Sequence, residues 1–470
     1  MILGVIAIAQ LMVVLDATIV NVALPSAQRD LGFSDDARQW IITAYALAFG
    51  SLLLLGGRLG DLLGRKRAFV GGLLGFAAAS AVGGFADSFA VLVGARAAQG
   101  MFGALLAPAA LALLSTTFTD PHERGKAFGV YSAVAGGGAA IGLLLGGILA
   151  EVLSWRWCLY VNLLFAVPAA VAAGRLLVHE RTHRAPLDLP GTATASLGLF
   201  ALVYGFSNSE RESWSHPVTI AMLVASAVLL AAFVALESRA AHPLLPMRVV
   251  RDRTRGGAYL SLGLAASALF AVFLFLTYYL QRTKGYTPIE AGLAFLPLTA
   301  AVISAATAVN LVLLRRIGSR WLLTAGMSLG AAGMAWFAQL APDSSYAGHV
   351  LPALLVTGVG AGTVFSASFA TATYGVAPQD TGVASAMINT MQQIGGSLVT
   401  AALSSVGAHA AASYAAGERA TPELLGEAAV HGYATAFWVA AGIFALGAVL
   451  VGGLIRPVRI GAGELRLQPA

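Results

Sequence analysis

The feature that most constrains this chain is a series of fourteen apolar runs, most of them near the length of a membrane-spanning helix. About 20 apolar residues cross roughly 30 Å of hydrocarbon as an α-helix. Because hydrocarbon offers no water to hydrogen-bond the backbone, only helices and closed barrels span it. The sequence therefore predicts an all-α membrane protein. The runs cover residues 2–24, 40–55, 69–85, 89–115, 127–150, 157–177, 191–206, 218–236, 258–280, 291–313, 322–340, 349–374, 383–409 and 433–455.

Composition agrees with a chain surrounded by the lipid bilayer. Charged residues are 11% of the 470 residues, against about 25% in soluble domains, and the mean hydropathy is +0.79. The longest polar segments are connectors, so no separate soluble domain is expected. The first apolar run starts at residue 2 without a basic lead-in, which predicts a first span rather than a cleavable signal peptide.

The distribution of lysine and arginine predicts the orientation, because these residues concentrate in cytoplasmic loops. With the N-terminus inside, twenty of the 28 lysines and arginines fall in internal segments, seven fall outside, and Arg96 lies within a span. The prediction is a multi-pass protein of the cell membrane with both termini in the cytoplasm. The net charge of +6 follows one membrane face, so no nucleic-acid partner is expected. The single cysteine, Cys158, is interpreted as a packing residue.

Connector length predicts how the spans are grouped. Two longer, charged connectors, at 178–190 and 238–257, bracket a central pair of spans. The expected order is an N-terminal six-helix bundle at 1–178, two inserted helices at 188–237, a C-terminal six-helix bundle at 257–456, and a cytoplasmic tail at 457–470.

Two opposite charges are predicted to lie inside the membrane at similar depth. At about 1.5 Å per residue, Asp16 is about 13 Å below the outer end of its helix, which ends near Pro25. By the same rule Arg96 is about 10 Å below that face. Ionisable groups at such depth usually face a protein interior or a watery cavity and carry protons, ions or substrate. The pair can be either a proton-coupling device or a static structural ion pair.

Several motifs resemble those of a known family. Residues 56–67, GGRLGDLLGRKR, resemble the loop signature of the major facilitator superfamily between its second and third helices. With fourteen spans and LDATIVNVALP at 15–25, the chain resembles the fourteen-span drug/proton antiporter branch, and most of all actinobacterial antibiotic exporters. The likeness continues through RAAQG at 96–100 and LSWRW at 153–157. It implies a major facilitator fold of two six-helix bundles plus two additional central helices, and proton coupling by Asp16 and Arg96.

The signature loop has a physical interpretation of its own. Its glycines permit a tight turn and close helix approach, and its cations anchor the cytoplasmic side. Asp61 stands among the cations, which suggests a specific partner such as the positive helix end near Thr381, for which Asp380 is a competing cap. The resemblance implies that Asp61 latches the two halves of the protein. The residues concerned are Gly57, Arg58, Gly60, Asp61, Gly64, Arg65 and Arg67.

The fifth run is rich in glycine, which favours close helix packing. The resemblance places the antiporter motif here, usually with a proline after its first glycine. This chain has GLLLGG at 142–147, with Leu143 in the proline position, so a proline kink is not expected. The packing residues are Gly138, Gly142, Gly146 and Gly147.

A few neutral polar residues are candidates for a substrate cavity. Gln99 lies one turn from Arg96, and Asn389, Gln392 and Gln393 share one face of the thirteenth span. Each can hydrogen-bond either to substrate or to a neighbouring helix.

The function predicted from these features is proton-coupled efflux of a small, lipophilic drug or antibiotic by alternating access. One alternative is a dedicated exporter of one self-made secondary metabolite. Another is a membrane-embedded sensor that binds a small molecule without moving it. The eight histidines are scattered and form no metal or catalytic motif, so an enzyme is not expected. The expected partners are a small-molecule substrate, protons and lipid, with the proton motive force in place of a cofactor and a monomeric state.

Overall fold

The computed structural model describes residues 1–178, 187–241, 243–416 and 421–456, and these residues are almost entirely helical. Within them, one long helical segment coincides with each predicted run, so the all-α prediction is confirmed. The helices are α1 (Ile2–Leu31), α2 (Asp35–Leu63), α3 (Arg65–Gly84), α4 (Phe89–Thr117), α5 (Pro121–Val152), α6 (Trp157–Leu176), α7 (Leu189–Arg211), α8 (Pro217–Glu237), α9 (Arg253–Thr283), α10 (Ile289–Arg316), α11 (Ser319–Phe337), α12 (Tyr346–Thr373), α13 (Thr381–Tyr414) and α14 (Pro422–Leu454).

Most of these helices are both long enough and apolar enough to cross a membrane. Among the described residues, 12 of them are long and apolar enough to cross a membrane. The other two, α5 and α11, contain 32 and 19 residues and are rich in glycine. The fourteen-span count is consistent with this structure.

Helix ends do not coincide with the ends of the apolar runs. α1 continues through Pro25 to Leu31 and ends at Gly32, whose φ of 66° suits glycine. α2 begins at Asp35 because the Ser34 side chain accepts a hydrogen bond from the Ala37 amide, which caps the helix. Capping chemistry and backbone hydrogen bonding therefore set the helix ends, while hydropathy marks only the apolar part.

The chain forms two compact units that interleave along the sequence. The first contains Met1–Thr117, Gly138–Arg251 and Gly375–Ile394. In this unit α4 packs against α1, α2 and α3, and α6 packs against α1 and α3. The inserted helices α7 and α8 pair with each other, and α7 also packs against α2.

The second unit contains Phe118–Gly137, Asp252–Tyr374 and the chain from Gly395. Here α12 packs against α9, α10 and α11, and α14 packs against α9 and α11. The predicted domain boundaries at 1–178, 188–237 and 257–456 stay a prediction. The predicted tail at 457–470 and the cations Arg181, Arg184 and Arg419 lie outside the described residues.

Candidate functional site

The centre of the candidate site is a buried ion pair between α1 and α4. The Asp16 side chain has 0% of its surface exposed and that of Arg96 has 2%. Arg96 donates from Nη1 to Oδ2 of Asp16 across 2.6 Å. The structure therefore brings together the two charges that the sequence places at one membrane depth.

Two neutral side chains complete the surroundings of the Asp16 carboxylate. Oδ1 accepts hydrogen bonds from Gln99 Nε2 at 3.0 Å and from Asn162 Nδ2 at 2.7 Å. Gln99 and Asn162 are both fully buried. Since all three partners of Asp16 are donors, the arrangement matches an ionised carboxylate. We call Asp16, Arg96, Gln99 and Asn162 the acid cluster.

Arg96 has further partners that hold its guanidinium in place. Nη1 also donates to Gln99 Oε1 at 2.8 Å, and Nε donates to the carbonyl oxygen of Ile41 at 3.3 Å. The guanidinium carbon lies 4.4 Å from the ring centroid of Tyr45, a cation–π contact. Removing one partner of such a buried pair typically costs about 3–5 kcal/mol, because the other charge is left uncompensated.

Sequence reasoning missed three members of this environment. One is Asn162 on α6, which belongs to the acid cluster. The other two contact the cluster: Ser80 on α3 accepts a hydrogen bond from Gln99 Nε2 at 2.7 Å, and the ring of Tyr45 on α2 lies against the Arg96 guanidinium. Each is neutral and stands in an apolar run without a motif. The one signal in the sequence was the isolation of Asn162 among apolar residues of the sixth run.

Asp61 of the signature loop lies against the start of α13. Its side chain is 7% exposed, and Oδ1 accepts a hydrogen bond from the Gly382 amide at 3.2 Å. The same oxygen lies 3.6 Å from Nη2 of Arg65. A carboxylate at a helix N-terminus is stabilised by the unpaired amides and the helix dipole. This is the partner that the sequence suggested for Asp61.

Asp380, the competing cap, has a different partner. Arg248 binds it through three hydrogen bonds: Nη2 donates to Oδ2 at 2.8 Å and to Oδ1 at 3.1 Å, and Nε donates to Oδ2 at 3.1 Å. Arg248 belongs to the short helix Met247–Arg251, which precedes α9. Asp380 therefore ties the connector after α8 to the start of α13.

Gly57, Gly60 and Gly64 of the signature loop have different environments. A Cβ added to Gly57 would lie 2.5 Å from the Ala386 Cβ and 2.7 Å from the Gly382 carbonyl oxygen, so α2 and α13 approach closely there. Gly64 separates α2 from α3 with a φ of 92°, a conformation that other residues rarely adopt. Gly60 serves neither purpose, since the nearest atom to an added Cβ is 3.9 Å away.

The loop cations also have distinct environments. Arg65 is 8% exposed and lies beside Asp61. Lys66 donates from Nζ to the carbonyl oxygens of Gly174 and Leu177, at 2.8 and 2.6 Å, and so caps the end of α6. Arg58 is half-buried and Arg67 is exposed. Of these four cations, Arg67 is the exposed one, which fits the predicted anchoring at the surface.

Gly138, Gly142 and Gly146 of α5 face α1. Cβ atoms added to Gly138 and Gly146 would lie 3.0 Å from Val14 Cγ1 and 2.9 Å from Ile19 Cγ1. Between them, Gly142 faces Thr18 and the Leu15 carbonyl. Gly147 is buried, and the side chain of Leu143 lies outside the described part of the structure. The stripe seats the helix that carries Asp16.

The polar residues of α13 do not join the acid cluster. Asn389 donates to the Ser385 carbonyl of its own helix at 2.9 Å. Gln393 lies against α2, where its Cγ would be 3.1 Å from a Cβ added to Gly50. Gln392 is half-buried. Of the four predicted cavity residues, only Gln99 lies beside Asp16.

The family of the chain follows from comparison with family models. The model described as the Major Facilitator Superfamily matches residues 6–400. The chain belongs to the major facilitator superfamily.

Curated relatives of the chain include antibiotic resistance and export proteins. The puromycin resistance protein pur8 of Streptomyces alboniger is 50% identical over 456 residues, 96% of this chain and 90% of the relative. The cephamycin export protein CmcT of Amycolatopsis lactamdurans is 40% identical, covering 85% of this chain and 83% of the relative. The tetracenomycin C resistance and export protein of Streptomyces glaucescens is 34% identical, covering 85% of this chain and 74% of the relative.

A solved structure shows the same fold. The crystal structure of the human organic anion transporter MFSD10 (TETRAN) superposes with a TM-score of 0.63 at 15% identity, covering 96% of this chain and 98% of that chain. The predicted major facilitator fold is confirmed.

Membership of the superfamily makes the chain a multi-pass membrane transporter rather than a catalyst. Within the described ranges, no group of three or more histidine, cysteine, aspartate or glutamate side chains is placed to hold a metal ion. The side chains of the acid cluster are a carboxylate, a guanidinium and two amides, all of which form hydrogen bonds.

Proposed function

We propose that this transporter exports a small, lipophilic drug or antibiotic in exchange for protons, by alternating access. The observation that carries the proposal is the fully buried Asp16–Arg96 pair in a major facilitator chain. The printed names of its relatives, which include resistance and export proteins for puromycin, cephamycin and tetracenomycin C, support the substrate class.

The ion pair offers a physical route to coupling. A proton that binds Asp16 removes its negative charge, which weakens the attraction to Arg96 and frees α1 to move relative to α4. Per proton, about 100 mV contributes about 2.3 kcal/mol and one pH unit contributes about 1.4 kcal/mol. The sum is enough to sustain a gradient of several hundredfold for a neutral substrate. No cofactor is needed, and a monomer contains all the parts.

Orientation and gating complete the proposal. We place both termini in the cytoplasm, so that the signature loop faces inward. The contact of Asp61 with the start of α13 would then hold the two sequence halves together on the cytoplasmic side. Protonation and substrate binding would change how often this contact opens. Asn389, Gln392 and Gln393 would offer hydrogen bonds to substrate in the C-terminal half.

The test is substrate-triggered proton release in proteoliposomes containing the full-length protein. The panel is puromycin, a cephamycin, tetracenomycin C and lipophilic cations. Asp16→Asn is expected to abolish the proton signal of a compound that still binds. Asp30→Asn, on the same helix but half-exposed, is the matched control and should retain the signal. Normal coupling in Asp16→Asn would show that Asp16 is structural and would defeat the proposed mechanism.

A dedicated exporter of one self-made metabolite is the second candidate, since two of the relatives are named as export proteins for a single antibiotic. A response to one compound of the panel favours the dedicated exporter, and responses across unrelated scaffolds favour a multidrug role. Binding without uphill, uncoupler-sensitive movement would instead identify a sensor.

A further inference from the structure

Asn162 carries a polar atom that the ionised acid cluster does not use. Its side chain is fully buried, and Nδ2 donates to Asp16 Oδ1 at 2.7 Å. Its own Oδ1 is buried and has no hydrogen-bond partner within the described part of the chain. A buried acceptor left in this way destabilises the structure, because it has lost its hydrogen bonds to water and has gained none in the protein.

The hydrogen-bond partners of Asp16 satisfy its ionised form and leave its protonated form without an acceptor. Arg96, Gln99 and Asn162 all donate to the carboxylate, so the ionised form is satisfied. A protonated Asp16 would instead present an O–H donor, which needs an acceptor. Gln99 Oε1 and the Ile41 carbonyl already accept from Arg96, at 2.8 and 3.3 Å. Among the acceptor atoms of the side chains bonded to Asp16, Asn162 Oδ1 is the one without a hydrogen-bond partner in the described part of the chain.

An amide side chain can offer either group in the same place. A half-turn about the last side-chain bond of Asn162 exchanges Nδ2 and Oδ1 with almost no change of shape. The amino group then faces the position that the oxygen has left. The other titratable or charged groups near Asp16 are Arg96 on α4, Tyr45 on α2 and Cys158, one turn before Asn162 on α6.

We propose that Asn162 is a positioning residue that serves both protonation states of Asp16. It donates to the carboxylate, and after a half-turn it accepts the O–H of the protonated acid. A proton from a hydronium ion in solvent binds a carboxylate oxygen of Asp16 and leaves a water molecule behind; the hydrogen bond donated by Asn162 Nδ2 is exchanged for one accepted by Oδ1, and no covalent bond of Asn162 forms or breaks. This inference rests on the proposed role of Asp16 as the coupling acid, and it adds a residue that changes its hydrogen bonding with each proton.

The test is infrared difference spectroscopy of the full-length protein in proteoliposomes as the pH is lowered. Wild type should gain a carboxyl C=O band that is absent in Asp16→Asn. In Asn162→Leu, which removes both polar atoms at similar volume, this band should move to higher wavenumber, because the O–H has lost its acceptor. Ser80→Ala is the control, since Ser80 bonds Gln99 and not Asp16, and should leave the band in place.

The possible outcomes separate this inference from the proposed function. An unmoved band in Asn162→Leu overturns the role of Asn162 while leaving Asp16 as the coupling acid. A spectrum without any band that depends on Asp16 overturns both. If Asn162→Leu does not yield folded protein, Asn162→Ala removes the same atoms with less bulk, and the same band shift decides.

Discussion

Two aspartates on α1 have opposite environments, although both pair with an arginine. Asp16 is fully buried and receives hydrogen bonds from α4 and α6. Asp30 is 50% exposed and binds Arg156 Nη1 at 2.5 Å and the indole of Trp155 at 3.0 Å. Water can solvate Asp30 if its partner leaves, whereas Asp16 would be stranded in a medium that solvates charge poorly. An aspartate at the depth of Asp16 therefore depends on its arginine partner, whereas one at the depth of Asp30 does not.

The first prediction concerns the coupling energy of the buried pair. Arg96→Leu should lower the stability of the detergent-solubilised protein by about 3–5 kcal/mol, because Asp16 loses its charged partner. Adding Asp16→Asn should recover part of this loss. Chemical denaturation of wild type, both single variants and the double variant gives the interaction energy. If the two single costs simply add, the charges are not energetically coupled.

The second prediction concerns the pH dependence of the exposed pair. Hydrogen bonds from Arg156 and Trp155 hold the pKa of Asp30 below its usual value of 3.8. A lowered folded-state pKa stabilises the fold above the unfolded-state pKa of about 3.9, and this contribution is lost as the pH falls through the folded value. The melting temperature of Arg156→Gln should thus lie below that of wild type at pH 6 and converge with it in acid. For Arg67→Gln, an exposed control, any difference should not vary with pH; failure of the Arg156 curves to converge contradicts the assignment.

At the level of elements, α1 is seated by glycines and the connector after α8 is tied down by carboxylates. Glu237 at the end of α8 accepts hydrogen bonds from the Leu244 and Leu245 amides, both at 3.1 Å. Arg248 then binds Asp380 next to α13. The inserted helices are part of the first unit: α7 packs against α2 and α8, and hydrogen bonds hold the connector that follows α8.

The third prediction concerns the α1–α5 contact. Gly142→Ala should cost about 1–3 kcal/mol, because the new methyl group meets the Thr18 side chain and lies 3.2 Å from the Leu15 carbonyl oxygen. Gly71→Ala on α3 has no atom within 4 Å of the new methyl and should be neutral or stabilising. Thermal denaturation of both variants is the measurement. Thr18→Ala should partly rescue Gly142→Ala, and equal behaviour of the two glycines would refute the close approach.

At the level of the whole molecule, each compact unit contains a segment from the other half of the sequence. The segment Gly375–Ile394 of the C-terminal half belongs to the first unit, and Phe118–Gly137 of the N-terminal half belongs to the second. Alternating access needs contacts between halves that can form and break. The Asp61–Gly382 hydrogen bond and the Gly57–Ala386 approach each join the N-terminal half of the sequence to the C-terminal half, and the proposed mechanism requires them to open.

The fourth prediction uses two glycines of the same loop. Gly57→Ala should slow substrate transport in proteoliposomes by about tenfold or more, because a methyl group there overlaps α13, and a penalty of about 1.4 kcal/mol corresponds to a factor of ten. Gly60→Ala should transport normally, since its nearest neighbour is 3.9 Å away. Equal rates in the two variants would show that the close approach does not limit transport.

The sequence by itself determined the helical membrane class, the positions of the apolar helical segments and the presence of two opposite charges, Asp16 and Arg96, inside the membrane. These features follow from short stretches of sequence, because in hydrocarbon an apolar segment must form its own backbone hydrogen bonds and a buried charge needs a partner. Depth along a helix follows from residue count, so the matched layer of the two charges was also predictable.

Only the tertiary structure decided which neutral groups surround that pair. Asn162, Ser80 and Tyr45 come from three different helices, and their convergence depends on helix rotation and packing. The tertiary structure likewise gave Asp61 the Gly382 amide and Asp380 the Arg248 side chain, where the sequence left the two acids in competition. Hydrogen-bond partners at separations of many residues depend on distances of a few tenths of an ångström, and periodicity and composition do not encode distances at that scale.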